Sequence, residues 1–275
     1  MTVGSAYQLS THHTTPLAET WNGKSWRVVA APALGSRTQL NAVSCTSAAA
    51  CEAVGLYDDA KGTTQALAEQ WNGTSWAMQA AARPGSSSVL EGVSCTSRSN
   101  CVAVGSQSTH ATHPLTEWWD GTQWTAVTAP VAPHATGGYL SAVSCTAPHT
   151  CTATGTNFRP GGVTLAERWN GATWRVQTTP NPPNWRSSFR STELDGVSCT
   201  SATTCVASGE YAPGGNAAYF IERWNGATWR LETTPRPAGY LHGALLAVSC
   251  RASRCAAVGA YTRVSLLQST LALGG

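Results

Sequence analysis

A β-propeller of about five four-stranded antiparallel blades is the fold this sequence predicts. Three observations predict it. A tryptophan pair flanking Asn-Gly or Asp-Gly recurs as WNGKSW at 21–26, WNGTSW at 71–76, WDGTQW at 119–124, and WNGATW at 169–174 and 224–229. Cysteine pairs recur beside it, at 45/51, 95/101, 145/151, 199/205 and 250/255. Both series keep a period near fifty. The first cysteines are 50, 50, 54 and 51 residues apart, and the tryptophan motifs 50, 48, 50 and 55. Self-similarity at this period marks stacked repeats, and four short strands per repeat make a propeller blade.

One repeat reads strand by strand between residues 40 and 85. LNAVSCTS is the first β-prone run, and the chain turns between its cysteines and returns as CEAVGLY. The loop DDAKGTTQ leads to ALAEQW, Asn-Gly turns the chain again, and SWAMQA is the fourth run. Asn-Gly between alternating residues is a strong signal for a two-residue hairpin, because both positions accept positive φ. Such a turn pairs Trp71 with Thr74 and Glu69 with Trp76, which sets the two indoles diagonally on one face. The inner runs AVSC, CVAVG, CTATG and CAAVG are apolar and small-residue rich, as strands covered on both faces should be.

The repeats fall at about 40–89, 90–139, 140–193 and 194–244 within a single domain, 1–275. Residues 1–39 and 245–275 contribute partial blades. The simplest closure lets the carboxy-terminal first and second strands share a blade with the amino-terminal third and fourth. TVGSAY at 2–7 and RVSLLQSTLALGG at 263–275 are surplus to that arrangement. They leave open an incomplete piece of a six- or seven-bladed ring.

The ten cysteines admit two readings. Zinc sites need about four ligands, but here each pair stands alone and no histidine recurs beside it. Five local disulfides fit better: Cys45–Cys51, Cys95–Cys101, Cys145–Cys151, Cys199–Cys205 and Cys250–Cys255. They imply an oxidising, extracellular or cell-surface setting. The first residues, MTVGSAYQLSTHHTT, lack a charged and then apolar leader, so export is expected to be encoded upstream of a truncated start.

The repeat resembles the kelch repeat. Gly55, Gly105, Gly155, Gly209 and Gly259 hold the first of its two second-strand glycines. Trp71, Trp119, Trp169 and Trp224 hold its third-strand aromatic, and Trp76, Trp124, Trp174 and Trp229 its fourth-strand one. The second glycine is replaced by Leu56, Ser106, Thr156, Glu210 and Ala260, and the cysteine pairs are not a kelch feature. The whole chain is also similar to Cys- and Trp-rich repeat proteins of secreted actinobacterial type, with the pattern VSCTS…WNGTSW. Both resemblances imply a propeller, and neither implies an activity. GATW at 171–174 matches the second half of the sialidase Asp-box, but Trp169 stands at the Asp position.

In an up-and-down meander the cysteine turns and tryptophan hairpins share one end of the blades. The loops joining second to third strands, and one blade to the next, share the other. All the length variation lies in that second set, which is where a rigid scaffold carries binding residues. The candidates there are Trp185, Arg186, Phe189 and Arg190, which interleave aromatics with cations, and Phe158, Arg159, Tyr139, Tyr211, Tyr240 and His242. Aromatic faces and guanidinium groups suit a glycan or a protein ligand. Glu19, Glu69, Glu117, Glu167 and Glu222 recur in every third strand and read as a constraint of the blade, not as catalysts. His110 and His113 form H-x-x-H without placed carboxylates, so no metal and no cofactor is expected.

Charged residues are 11% of the chain and the net charge is +3, without a basic block. Neither nucleic acid nor a membrane span is expected, and the protein is expected to be a monomer. A non-catalytic extracellular binding module is the leading reading. A propeller-type glycoside hydrolase or lyase, drawing on Glu193, Asp195, Asp58, Asp59 or Glu210, is the alternative. A structural domain of a longer surface protein is the third.

Overall fold

The computed structural model describes residues 1–159, 163–183, 192–211, 217–263 and 268–274. The described residues form antiparallel strands in six sheets. They are distributed over two compact units, Met1–Ala129 and Pro130–Gly275.

In the first unit, β1 (Thr2–Gln8), β2 (His13–Trp21) and β3 (Trp26–Val29) form one sheet. Then β4 (Thr38–Ser47), β5 (Ala50–Asp58), β6 (Thr64–Trp71) and β7 (Trp76–Gln79) form the second. The third contains β8 (Ser87–Ser97), β9 (Asn100–Ser108), β10 (Thr112–Trp119) and β11 (Trp124–Val127). In the second unit, the fourth sheet is β12 (Gly138–Ala147), β13 (Thr150–Asn157), β14 (Val163–Trp169) and β15 (Trp174–Gln177). The fifth is β16 (Glu193–Ser201), β17 (Thr204–Tyr211), β18 (Ala218–Trp224) and β19 (Trp229–Glu232). The sixth is β20 (Tyr240–Arg251), β21 (Arg254–Arg263) and β22 (Gln268–Gly274). Every sheet is a meander whose spatial order follows the chain.

The sheet number corrects the expectation of about five blades. The surplus runs at the two ends are strands in their own right. Thr2–Gln8 pairs with β2 along its whole length, and Gln268–Gly274 pairs with β21. Each terminal segment completes a three-stranded sheet of its own, so the segments do not share one. Six three- or four-stranded sheets result.

The register shows what the repeated residues do. In the second sheet Cys45 lies opposite Cys51, Cys51 opposite Trp71, and Trp71 opposite Trp76. One row of side chains therefore crosses all four strands. Cys145, Cys151, Trp169 and Trp174 form the same row in the fourth sheet. Cys199, Cys205, Trp224 and Trp229 form it in the fifth. All five expected disulfides are present, and the described residues include no free cysteine.

The tryptophan hairpin differs from the two-residue turn expected of Asn-Gly. Trp71 and Trp76 are directly opposed, and four residues, Asn72–Ser75, make the turn. Gly73 alone takes positive φ, at 102°. The Asn72 side chain explains the change. Its Oδ1 accepts the backbone N–H groups of Thr74 at 2.9 Å and Ser75 at 2.9 Å, an Asx turn that competes with the tight hairpin. The indoles end up face to face in the strand sense, 5.6 Å apart and tilted.

Neighbouring sheets are joined by polar contacts that the motifs encode. The serines of three VSC triplets accept an N–H from the next sheet: Ser44 from Cys95, Ser144 from Cys199 and Ser198 from Cys250, each at 2.9 Å. The third-strand indole closes onto the cysteine turn of its own sheet, Trp71 Nε1 donating to Ala48 O at 3.1 Å and Trp119 Nε1 to Arg98 O at 3.1 Å. Each second-strand glycine lies against the backbone of the first strand, where a Cβ on Gly55 would stand 2.0 Å from Gln39 O.

In the second, third and fifth sheets the tryptophan face packs on the sheet before it. Trp71 and Trp76 are buried against Ala18, Val29 and Leu34 of the first unit. The first sheet has no predecessor within its unit. Its Trp21 and Trp26 remain 48% and 52% exposed, against 5% and 6% for Trp71 and Trp76.

Candidate functional site

The loops opposite the cysteine turns carry the variable side chains, and in the second unit they bring several of the expected residues together. Tyr139 is the second residue of β12 and Phe158 follows β13. Their rings meet edge to face with centroids 5.9 Å apart. Backbone bonds fix this corner, Phe158 N–H donating to Gly137 O at 2.9 Å and Thr136 N–H to Phe158 O at 3.0 Å. Both aromatics are half-buried. Arg159 follows, with its Nε buried and without an acceptor among the described residues.

Three carboxylates adjoin this corner. Tyr139 donates its hydroxyl to Glu193 Oε2 in a short hydrogen bond. Glu193 opens β16 and stands directly opposite Glu210 on β17. Asp195 is the extra residue of a β-bulge, between the pairs Leu194–Gly209 and Gly196–Ser208. Burial pushes the Asp195 carboxyl well above the usual range. The negative Glu193, its hydrogen bond with Asp195 and the nearby Glu210 push it the same way. Like charges this close cannot all ionise, so Asp195 holds its proton at neutral pH. Tyr211 ends β17 beside Glu210, stacked edge to face on Phe220 at 5.8 Å.

A second aromatic group lies where the fifth sheet leads into the sixth. Tyr240 opens β20 and meets Tyr219 at 5.4 Å with perpendicular rings. Arg236 lies over both, 3.9 Å from the Tyr219 centroid and 4.9 Å from that of Tyr240. It also donates to Tyr219 O at 2.7 Å. Tyr240 donates its hydroxyl to Ala217 O at 3.0 Å. His242 lies half-buried on β20, opposite Thr262.

The structure therefore gathers Tyr139 and Phe158 beside the carboxylates, sets Tyr211 against Phe220 and places Tyr240 in a neighbouring cluster. Trp185, Arg186, Phe189 and Arg190 lie outside the described residues. Arg236 was missed in the sequence, because PRPAGY reads as an ordinary proline linker. The bulge position was also missed. It holds Asn41, Glu91, Ser141, Asp195 and Leu246 in successive sheets, and this variation inside an otherwise uniform strand was the available signal.

In the first unit the corresponding loops are simpler. Asp59 caps its turn, accepting from Lys61 N–H at 2.8 Å and Thr63 N–H at 3.0 Å, as expected of a turn residue. The backbone bonds from Thr63 and Lys61 hold its carboxyl below the usual range. Arg83 lies over the buried Tyr57, 5.3 Å from its centroid. At the bulge, Asn41 donates to Glu91 Oε2 at 2.9 Å.

Among the described residues no group of three or more His, Cys, Asp or Glu side chains is arranged to hold a metal ion. No helix of the described residues is long and apolar enough to cross a membrane.

No protein-family profile matches the chain, and no curated protein matches it in sequence. Solved structures do match. A SapL1 lectin in complex with α-methyl fucoside superposes with a TM-score of 0.58 at 13% identity, covering 96% of this chain and 85% of that one. YjhT gives 0.56 at 11% identity, covering 94% and 87%. The lectin of the fungus Aleuria aurantia, described as a six-bladed β-propeller with a novel fucose recognition mode, gives 0.53 at 11% identity, covering 85% and 77%. At these identities the likeness concerns architecture, and the chain has the β-propeller fold, with six sheets as its blades.

Proposed function

We propose that the protein is a non-catalytic, extracellular carbohydrate-binding module, and that the loop end of the fourth and fifth sheets holds the glycan. The observation that carries this reading is the meeting of Tyr139 and Phe158 with Glu193, Asp195 and Glu210. Sugar recognition needs an apolar face for the ring C–H groups and fixed acceptors and donors for its hydroxyls. Half-buried aromatics supply the first. Glu193 and Glu210 supply acceptors, and protonated Asp195 adds a donor. Arg236 over Tyr219 and Tyr240 extends the same chemistry towards the sixth sheet. Trp185, Arg186, Phe189 and Arg190, which precede β16 in the sequence, belong to the same proposal, as do Arg159, Tyr211 and His242.

The lectin neighbours support a sugar ligand, and a fucoside is the first probe to try. The five disulfides support an oxidising, extracellular compartment. The kelch-like and Cys/Trp-repeat resemblances remain part of the proposal.

The carboxylates do not favour the glycoside hydrolase alternative. That chemistry uses two carboxyl groups roughly 5–10 Å apart, with the scissile bond between them. Glu193 lies close enough to Asp195 to raise its carboxyl, a closer approach than that spacing.

A glycan array probed with the full chain tests the reading. Binding that is lost on Tyr139→Ala and on Trp185→Ala, with each variant keeping its melting temperature within a few degrees, is the expected outcome. No glycan bound by the wild-type chain would overturn it.

A further inference from the structure

A cleft of about 550 Å³ opens at the cysteine-turn end of the fourth sheet, beside the Ala202 turn of the fifth. It lies at the other end of the blades from the corner of Tyr139 and Phe158, and it plays no part in the glycan site proposed there. Arg168, Arg175 and His149 line it, and none of its described lining residues is acidic.

The register sets the two arginines together. Arg168 precedes the third-strand tryptophan, Arg175 follows the fourth-strand one, and they stand directly opposite each other on β14 and β15. Side chains in that relation share one face of the sheet, with Cβ atoms about 4.5–5.5 Å apart. Arg168 is held in place across the interface, its guanidinium 5.2 Å from the centroid of the Trp224 ring. Partial burial disfavours its charge and lowers its pKa from the ordinary arginine value. Arg175 is exposed. Neither guanidinium makes an ion pair among the described residues.

The fifth sheet shows how the repeat balances such a pair. Arg223 and Arg230 are opposed there in the same way, but Glu232 accepts from Arg223, Nη2 lying 3.2 Å from Oε2. The fourth sheet has Gln177 at the position of Glu232, and its Oε1 already takes the Trp229 N–H at 2.8 Å. The first three sheets hold Thr20 and Arg27, Gln70 and Ala77, and Trp118 and Thr125 at the two arginine positions. Among the described residues, the fourth sheet thus presents an opposed arginine pair without a carboxylate of its own. His149 stands beside it, at the turn position held by Ala49, Ser99 and Thr203 in other sheets. Trp169 also lines the cleft, half-buried where Trp71, Trp119 and Trp224 are buried.

We infer that this cleft is a second ligand site, which takes an acidic saccharide by a sulfate or carboxylate group held between Arg168 and Arg175. Guanidinium forks match the planar or tetrahedral oxygens of such groups and bind them in pairs. The anion also relieves the repulsion between two cations on one face. Trp169 offers an aromatic surface for the sugar ring, and Thr150 and Asn170 offer hydroxyl and amide groups for its hydroxyls. A net charge of +3 without a basic block suits one anionic group better than a nucleic-acid backbone. The cleft stands apart from the loop-end site, so either can bind without the other.

Isothermal titration calorimetry on the full chain tests this with a chondroitin sulfate disaccharide, which carries a sulfate and a carboxylate. The expected result is saturable binding that weakens at least about tenfold in Arg175→Ala, as loss of a charged hydrogen-bond donor should, and that survives Tyr139→Ala. Neutral lactose should not compete. Binding that persists after desulfation assigns the carboxylate as the held group, and binding that vanishes assigns the sulfate. No saturation, equal affinity in Arg175→Ala, or competition by lactose would each overturn the proposal. So would inorganic sulfate binding as tightly as the disaccharide, or oligothymidylate binding more tightly. Arg175 is exposed, and a melting temperature within a few degrees of wild type confirms that its removal leaves the fold intact.

Discussion

Trp229 donates its indole N–H to Gln177 Oε1 at 2.8 Å and so ties the fifth sheet to the fourth. Trp124 makes the same bond to Gln79 at 2.6 Å. Trp76 cannot, because the matching residue on the sheet before it is Val29, and the Trp76 Nε1 is buried without an acceptor. An unpaired buried donor costs about 1–3 kcal/mol. Val29→Gln should therefore stabilise the chain by about 1 kcal/mol, and Gln177→Leu should destabilise it by a similar amount. Thermal melts of the two variants check this, and a Val29→Gln chain that melts lower than wild type would refute the assignment.

The repeated glutamates follow a related logic. Glu117 Oε2 accepts the Ala82 N–H at 3.0 Å. The residue at that repeat position is Pro32 before Glu69 and Pro180 before Glu222, and proline has no N–H to give. Both oxygens of Glu69 and Glu222 lack partners. Burial raises the Glu117 carboxyl to about 7 but Glu69 to about 8 and Glu222 to about 9. Pro180→Ala should lower the Glu222 value towards that of Glu117, a shift visible in an NMR titration of carboxyl carbons. An unchanged value would show that the backbone N–H does not reach.

These glutamates set a pH dependence. Their folded values lie above the ordinary 4.5, so between about 4.5 and 8 the folded chain keeps protons that the unfolded chain has lost. Stability then falls as pH rises through that window. Burial holds Glu167 at about 8, so it acts in the same direction. Urea midpoints should be higher at pH 5.5 than at pH 8.5, and Glu69→Gln should flatten the slope. A midpoint that rises towards pH 8.5 would contradict the burial of these groups as neutral acids.

Close backbone approach makes its own prediction. A Cβ on Gly209 would stand 2.0 Å from Glu193 O, beside the carboxylate cluster. Gly209→Ala should cost about 1–3 kcal/mol, as overpacking does, and should also weaken glycan binding by displacing Glu193. Denaturant unfolding and titration with the bound glycan read the two effects separately.

The interior of each repeat was legible in the sequence because its causes are local. Cysteine spacing gave the disulfides, and the Asn-Gly and Asp-Gly motifs located the hairpins. Two errors came from non-local or competing effects. The Asn72 side chain took over the turn that Asn-Gly alone would have made, changing the pairing of Trp71. The ends were misjudged because Thr2–Gln8 and Gln268–Gly274 lack the cysteines and tryptophans that mark the repeat, yet they pair as strands of sheets of their own. The candidate site was legible only in part. Tyr139 and Phe158 were visible as loop aromatics. Their meeting with Glu193 depends on the stacking of the fourth and fifth sheets, and the Asp195 environment depends on a bulge.

The central claim is that each repeat is fastened by its own row of two cysteines and two tryptophans. Closing a loop of about seven residues restricts the unfolded chain by roughly 2 kcal/mol per disulfide. Peptide mass mapping of the native, unreduced protein tests the claim most directly. The account predicts five cystines, each joining the two cysteines of one repeat, Cys45 to Cys51 through Cys250 to Cys255. Free thiols, or a cystine joining two different repeats, would contradict it.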